Sequence, residues 1–187
     1  MDVVVAQSRR WTRDEYERLA EQGFFRPDEH LELLDGEILA MTPQKGSHAQ
    51  AVGLAIETFR QAFGPDAHVR SQLPLALSAE TMPEPDVAVV SGSVRDYPAH
   101  PTTAMLVMEI ADTSLPLDRQ RKGPLYARAG IPEYWIVNLV DRIVEVYREP
   151  IETADGWHYR LVHRVGPGSD VTPLATGQPV LVDDLLP

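Results

Sequence analysis

The spacing of apolar residues along the chain predicts three helices. The first starts at the capping-box pair Thr12 and Glu15, where each side chain can bond the other residue's amide, and runs to about Gln22. Apolar residues then recur at helical spacing over residues 47–63, and a third helix is expected over residues 117–129. Glycine and proline follow both of these longer runs, as is typical after a helix end.

The stretches between and after these helices predict a β-rich centre. Asp35-Gly36 stands between two strand-like runs, which is a strong signal for a hairpin. The predicted strands cover residues 30–34, 37–41, 68–77, 86–90, 104–110, 133–139, 142–148, 157–164 and 180–182. Two of them, 86–90 and 104–110, are rich in aliphatic residues, as strands buried on both faces tend to be. Helices that flank such strands give an α/β domain with a mixed sheet.

Composition adds limits to this picture. With 187 residues and 43% hydrophobic side chains, the chain is long enough for a sizeable core, and we expect residues 1–187 to form one domain. No apolar run approaches the roughly 20 residues that span a bilayer, so no membrane partner is expected. The start lacks the pattern of a signal peptide and the chain has no cysteine, which together favour a cytoplasmic location.

The net charge of -11 weighs against a protein that coats nucleic acid, because such proteins usually carry a basic surface. An average of this kind still leaves room for a small basic patch beside an acidic metal site. Carboxylates around such a site would add to the negative count, and a bound divalent cation would partly neutralise them.

Two carboxylates and a lysine are the candidate chemical groups. Asp86 follows Pro83-Glu84-Pro85 at the start of a predicted strand. Glu109 lies near the end of a very apolar strand, where a carboxylate is costly to bury without a cation, a donor or a metal. Carboxylates at the ends of adjacent strands suit Mg²⁺ or Mn²⁺. Lys122, in the third helix, could orient a water molecule and stabilise charge on a phosphate.

Each of these residues also has a purely structural interpretation. Asp86 could cap a turn or a strand, and Glu109 could pair with an arginine in the core. Asp118 and Lys122, four residues apart, could form an ordinary ion pair on the helix surface. The functional interpretation is favoured because the structural one needs three independent explanations, one each for Asp86, Glu109 and Lys122. The six histidines show no HxH or HExxH spacing, so a zinc site is not expected.

At these positions the sequence resembles a large bacterial family of "putative restriction endonucleases" within the PD-(D/E)XK nuclease superfamily. The resemblance covers about residues 11–150. It is carried by residues 32–38, His48, 85–87, 107–114, Asp118, Lys122 and 126–135. It implies a restriction-endonuclease-like fold, in which helices flank a central mixed sheet and a hairpin lies near the N-terminus. It also implies divalent-metal-dependent hydrolysis of phosphodiester bonds.

The resemblance assigns roles to particular residues. Asp86 and Glu109 match the two acidic positions of the superfamily motif, and with the Ile110 backbone carbonyl they would hold the metal. Two residues after the second acid the superfamily usually has lysine, where this chain has Ala111. In this family the lysine is found on the following helix, and Lys122 occupies the matching place.

Further residues are candidates for supporting roles. Glu32 matches an acidic position that the superfamily often places near the metal, although it could equally be an exposed strand residue. His48 could contact phosphate or cap its helix. Gln72 could be a polar residue of the cleft or an exposed strand residue. Tyr134 and Trp135 are expected in the core or an interface rather than as base-stacking platforms.

The expected function is therefore that of a Mg²⁺-dependent endonuclease acting on DNA, with Mn²⁺ as a substitute ion. A homodimer is expected because cutting a duplex needs two active sites. The alternative is a catalytically decayed member that binds nucleic acid or a protein partner, as Ala111 and the acidic composition suggest. A third hypothesis is a different metal-dependent phosphohydrolase or a small-molecule binder.

Overall fold

The computed structural model of the chain describes residues 8–187, so the first seven residues, on which the signal-peptide expectation partly rests, lie outside it. The helices are α1 (Arg13–Glu21), α2 (Gly46–Phe63), the short α3 (Leu115–Leu117) and α4 (Gly123–Arg128), with a π-helical turn, Asp118–Lys122, joining the last two. The strands are β1 (Leu31–Leu34), β2 (Glu37–Ala40), β3 (Ala67–Arg70), β4 (Val87–Ser91), β5 (Leu106–Ala111), β6 (Glu133–Asn138), β7 (Ile143–Thr153), β8 (Gly156–Val165), β9 (Asp170–Val171) and β10 (Val180–Leu181). Short 3₁₀ turns cover Val94–Asp96 and Val182–Leu185.

Six of these strands form one mixed sheet in the order β3-β4-β5-β6-β7-β8. Only β5 and β6 run parallel within it, and the other neighbours are antiparallel. Parallel neighbours need a crossover connection, and the helical segment from α3 to α4 provides it. That segment therefore crosses the sheet beside β5, the strand that carries Glu109.

The sheet is covered on both faces, which explains the apolar character of its central strands. On one face α2 packs through Ala51, Ala55 and Phe59 against a cluster that includes Trp135. On the other face α4 packs against a second cluster, which contains Tyr134. The predicted burial of Tyr134 and Trp135 is confirmed, since both are fully buried.

The hairpin of β1 and β2 lies outside the six-stranded sheet. Its turn has positive φ at both Asp35 (51°) and Gly36 (75°), as the tight hairpin turn requires. Leu33 joins the hairpin to the chain before β4 through a bridge with Met82, and α1 packs against the same region through Tyr16. The capping box of Thr12 and Glu15 that begins α1 is present as predicted.

Four of the predicted boundaries are wrong. The strand expected over residues 142–148 continues to Thr153. The strand expected over residues 68–77 ends at Arg70, because Gln72 adopts a left-handed φ of 51° and Pro74 cannot donate to a ladder. Val182 begins a 3₁₀ turn rather than ending a strand. The helix expected over residues 117–129 is broken by the π-helical turn. Among residues 8–187, no helix is both long and apolar enough to cross a membrane.

Candidate active site

Asp86 stands where the chain enters β4 and is buried, with 7% of its surface exposed. Its Oδ2 accepts a hydrogen bond from the Ile110 amide at 2.8 Å, and His48 Nε2 lies 3.1 Å from the same oxygen. Its own amide faces Glu109 Oε2 at 3.4 Å. The structure thus brings the two predicted acids together at the ends of adjacent strands, and Asp86 also does the structural work of fixing β4 against β5.

Lys122 reaches the Glu109 carboxylate from the crossover helix, which is the helical segment from α3 to α4 (residues 115–128). Its Nζ lies 3.0 Å from Glu109 Oε1 and 3.1 Å from Glu32 Oε1. Lys122 and Glu32 are 2% and 1% exposed, and the ion pair between Lys122 and Asp118 that was considered for the helix surface is therefore wrong. The pairing of Glu109 with a core arginine is wrong as well, because the cation beside it is Lys122.

The π-helical turn explains how the helix presents Lys122. Residues four apart on an α-helix drift by about 40° around its axis, so Asp118, Lys122 and Tyr126 would fan out over a wide arc. A π turn holds an extra residue, which offsets this drift, and all three side chains are buried. The turn forms because Pro124 has no N–H for an α-type bond, while the Gly123 amide bonds the Asp118 carbonyl.

The remaining predicted residues fall in different places. His48, near the start of α2, lines the same small cavity of about 90 Å³ as Glu32, Asp86, Glu109, Ile110 and Lys122. Gln72 does not line that cavity, although its amide donates to the Pro85 carbonyl at 3.0 Å, next to Asp86. The possibility that Glu32 is an exposed strand residue is wrong.

Burial and mutual repulsion dominate the electrostatics of the cavity. Burial raises the pKa of Glu109 well above its usual range, against the opposing charge of Lys122. It raises the pKa of Asp118 to about 6. Burial alone would discharge Lys122, but the charges of Glu109 and Glu32 outweigh it and raise its pKa, so Lys122 remains a cation. For His48, the bond and charge of Asp86 outweigh burial and raise the pKa.

The cavity carries more negative than positive charge. Six carboxylates line it against two lysines and two histidines. Its acceptors are also incompletely used. Glu32 Oε2 is buried and has no hydrogen-bond partner among residues 8–187, and Asp86 Oδ1 has Gln44 Nε2 at 3.5 Å. A hard divalent cation would offset the excess negative charge and bind the carboxylate oxygens that lack hydrogen-bond donors.

Within residues 8–187, no three histidine, aspartate or glutamate side chains converge as a ready-made metal group. Mg²⁺ is compatible with this, since it commonly binds through one or two carboxylates and keeps several waters. Asp86 and Glu109, with Ile110 lining the same cavity, fit such a donor set.

Two residues of the site had no functional role in the sequence analysis. The Tyr126 hydroxyl donates to Glu109 Oε1 at 2.6 Å, and Asp118 accepts from the Ser114 hydroxyl at 2.6 Å. Both lie four residues from Lys122 on the crossover helix. Once Lys122 was a candidate, the helical spacing of these neighbours was the signal that could have found them.

Comparisons with known proteins agree with this architecture. The family model Uma2, described as "Putative restriction endonuclease", matches residues 13–180, further along the chain than the sequence resemblance indicated. A crystal structure of "a putative nuclease belonging to DUF820" from Anabaena variabilis ATCC 29413 has a similar fold, with a TM-score of 0.71. The two chains share 16% sequence identity, over 93% of this chain and 96% of that one. No curated protein matches the chain. Because the family model spans nearly the whole chain, this protein belongs to the Uma2 family of "putative restriction endonucleases".

Proposed function

We propose that this chain is a nuclease, as its family description indicates, and more narrowly an endonuclease that hydrolyses DNA with Mg²⁺ or Mn²⁺. The observation that carries the proposal is the position of Lys122. Its buried ammonium lies 3.0 Å from Glu109, at the point where the amide of Asp86 faces the same carboxylate. The lysine that is missing at Ala111 is thus supplied from the crossover helix.

In this proposal Asp86, Glu109 and the Ile110 carbonyl hold the divalent ion, which would supply Lewis-acid polarisation of the phosphate and activation of a water molecule. Lys122 orients that water and offsets the negative charge that develops on the phosphate. Glu32 and Tyr126 act through other residues: Glu32 holds the Lys122 ammonium, and Tyr126 fixes the Glu109 carboxylate.

Two residues have supporting places in the proposal. His48 steers Asp86 and stands at the cavity as a donor for a substrate phosphate. Gln72 lies outside the cavity wall and serves only to hold the approach to Asp86 through its backbone. Two copies of the chain would act on the two strands of a duplex, so we propose a homodimer.

The test is cleavage of supercoiled plasmid DNA by the purified protein with Mg²⁺, with Mn²⁺ and with EDTA. We expect cleavage only with metal and a loss of at least about a hundredfold for Lys122→Met, because the charge that stabilises the transition state is gone. Glu57→Gln, on an exposed position of α2, is the control and should cleave like the unmodified protein.

Calorimetry with Mg²⁺ separates this proposal from the catalytically decayed alternative. An active site should bind Mg²⁺ in a manner that Asp86→Asn abolishes. Metal binding that survives Asp86→Asn, or plasmid cleavage that survives the double variant Glu109→Ala/Lys122→Ala, would overturn the assignment of the site.

A further inference from the structure

Arg70 is an arginine buried without an anionic partner. It ends β3 and is 7% exposed. Its Nη2 donates to the Pro74 carbonyl at 3.3 Å, and its buried Nε has no hydrogen-bond partner in the part of the chain that the structure describes. Among residues 8–187, no carboxylate stands close enough to pair with it. A buried donor without an acceptor is costly, so Arg70 has unused hydrogen-bonding capacity in the folded chain.

The Arg70 side chain lines a cavity of about 540 Å³, between α1, the end of β3 and the loop that precedes β5. Arg13 and His100 also line this cavity. Among the described residues its one carboxylate is Glu17, whose Oε1 lies 4.0 Å from Arg13 Nε. The rim is open to solvent, since residues 98–100 and Leu73 are exposed. A solvent-accessible cavity with a basic lining is unusual on a chain whose net charge is -11.

We propose that this cavity binds a phosphate group of a nucleic-acid strand, with Arg70 as the principal donor and Arg13 as the second cation. The planar guanidinium fork matches two oxygens of a phosphate, and Arg70 has donors to spare. The cavity is larger than one phosphate needs, which favours a phosphate carried on a larger molecule. This inference rests on the proposed function and adds to it a contact away from the reacting group.

The position of Arg70 relative to the candidate active site supports a shared ligand. Arg70 pairs with Ala88 across β3 and β4, and Asp86 lies two residues before Ala88. With about 3.3 Å per residue and 4.8 Å between strands, the backbones of Arg70 and Asp86 are roughly 8 Å apart. A separation of this size is compatible with one strand whose phosphates contact both places.

The first experiment measures thermal unfolding with rising inorganic phosphate, in EDTA so that nothing is cleaved. The unmodified protein should unfold at a higher temperature as phosphate is added, because a ligand of the folded state stabilises it. Arg70→Met should lose this gain, yet unfold no earlier than the unmodified protein without phosphate, since a buried unpaired charge has been removed. Arg13→Gln, on the half-exposed wall, should weaken the gain without touching the sheet.

Arg119→Met is the matched control. It removes a different arginine, one that is paired with Glu145, and it should keep the phosphate-dependent gain while losing stability. An absent gain in the unmodified protein, or an equal gain in Arg70→Met, overturns the proposal. Phosphate binding in EDTA does not depend on metal, so it is tested apart from cleavage. A chain that binds phosphate here but cuts no plasmid DNA with Mg²⁺ or Mn²⁺ would refute the proposed function and leave the phosphate site standing.

The second experiment identifies the source of the phosphate. Binding of a duplex oligonucleotide in EDTA is measured over a range of salt concentrations. Loss of one phosphate contact should reduce the slope of log affinity against log salt by about 0.9, so Arg70→Met should show that reduction and Arg119→Met should not. An unchanged slope in Arg70→Met would overturn the nucleic-acid source and leave free phosphate as the ligand.

Discussion

Two pairs of buried carboxylates differ in how fully their oxygens are used: Glu145 and Glu133 lie on the central sheet, whereas Glu109 on that sheet is joined by Glu32 from the β1-β2 hairpin. Glu145 on β7 accepts from Arg119 Nε at 3.0 Å, from the Tyr147 hydroxyl at 2.6 Å and from Asn138 at 3.5 Å. Glu109 on β5 has Lys122 and Tyr126 on one oxygen, but only a distant amide, at 3.4 Å, on the other. Both carboxylates are shielded from water, so burial alone does not distinguish them.

Glu133 and Glu32 repeat this difference. Glu133 accepts from Trp135 and Arg148 on one oxygen and from the Leu174 amide at 2.7 Å on the other. Glu32 accepts from Lys122 with one oxygen, and its other oxygen has no hydrogen-bond partner within residues 8–187. Glu145 and Glu133, whose oxygens are all hydrogen-bonded, hold the sheet and the segment after β9 together. The unsaturated pair lines a cavity, where the unused acceptors are available to a ligand.

The two groups also differ in what their charge does for the fold. Burial opposes ionisation of Glu145, but the hydrogen bonds and charge of Arg119 outweigh it and lower the pKa of that carboxyl. Burial raises the pKa of Glu109 instead. Ionisation of Glu145 therefore stabilises the folded state, whereas ionisation of Glu109 is less favourable in the folded state than in the unfolded state. A carboxyl whose ionisation is unfavourable in the folded state is expected at a binding or catalytic site rather than at a purely structural position.

The largest contrast should come from the same substitution in each group. Glu145→Gln should lower the free energy of unfolding by about 2 kcal/mol, because Arg119 and Tyr147 lose a charged acceptor. Glu109→Gln should lower it less, because Glu32 still faces the Lys122 ammonium, while cleavage falls by at least about a hundredfold. Urea unfolding and plasmid cleavage measure the two effects. If Glu109→Gln were the less stable of the two variants, the conclusion that Glu145 contributes more to stability than Glu109 would be wrong.

The pH dependence of stability should sharpen the comparison for Glu145. A carboxyl with a lowered folded-state pKa contributes stability above its unfolded value, near 4.5, and loses it as the pH falls through the folded value. The difference in unfolding free energy between the unmodified protein and Glu145→Gln should thus be constant at neutral pH and shrink below about 4.5. Urea titrations at successive pH values measure it, and a difference that stays constant into acid would contradict this assignment.

The smallest effect should come from the turn that places Lys122. Pro124→Ala restores the N–H that an α-type bond needs, so the π-helical turn can relax and rotate Lys122 away from Glu109. We expect cleavage to fall about tenfold, since small misplacements of a catalytic group are costly, with stability unchanged or slightly higher. Pro132→Ala, at an exposed position beyond α4, is the control. Equal cleavage in both variants would show that the turn is not what aims the lysine.

Much of this architecture follows from local patterns. The capping box at Thr12, the Asp35-Gly36 turn and the long α2 depend on residues close in sequence, and the sequence predicted all of them. The convergence of Asp86 and Glu109 also followed, because the apolar runs beside them indicated neighbouring strands. The burial of Lys122 could not be read from its neighbours, since it depends on acceptors that β5 and β1 supply.

Other features were hidden because their causes are nonlocal or subtle. The chain after Arg70 was expected to stay extended, but the left-handed Gln72 and Pro74 turn it out of the sheet. The π-helical turn depends on one missing N–H, at Pro124, in an otherwise helical pattern. Arg70 gave no signal at all, because a lone arginine in a strand does not reveal that its partner is absent.

The ion pair between Glu32 and Lys122 has a consequence for the order of folding. These residues are 90 positions apart in the chain. A hairpin such as β1-β2 forms within microseconds. The ion pair of its Glu32 with Lys122 can form only after the crossover helix has folded onto the sheet. Contacts of such long range form late, because the loop between them must close first. The arrangement of side chains at the cavity is therefore completed only once the chain has been synthesised and folded as far as the crossover helix.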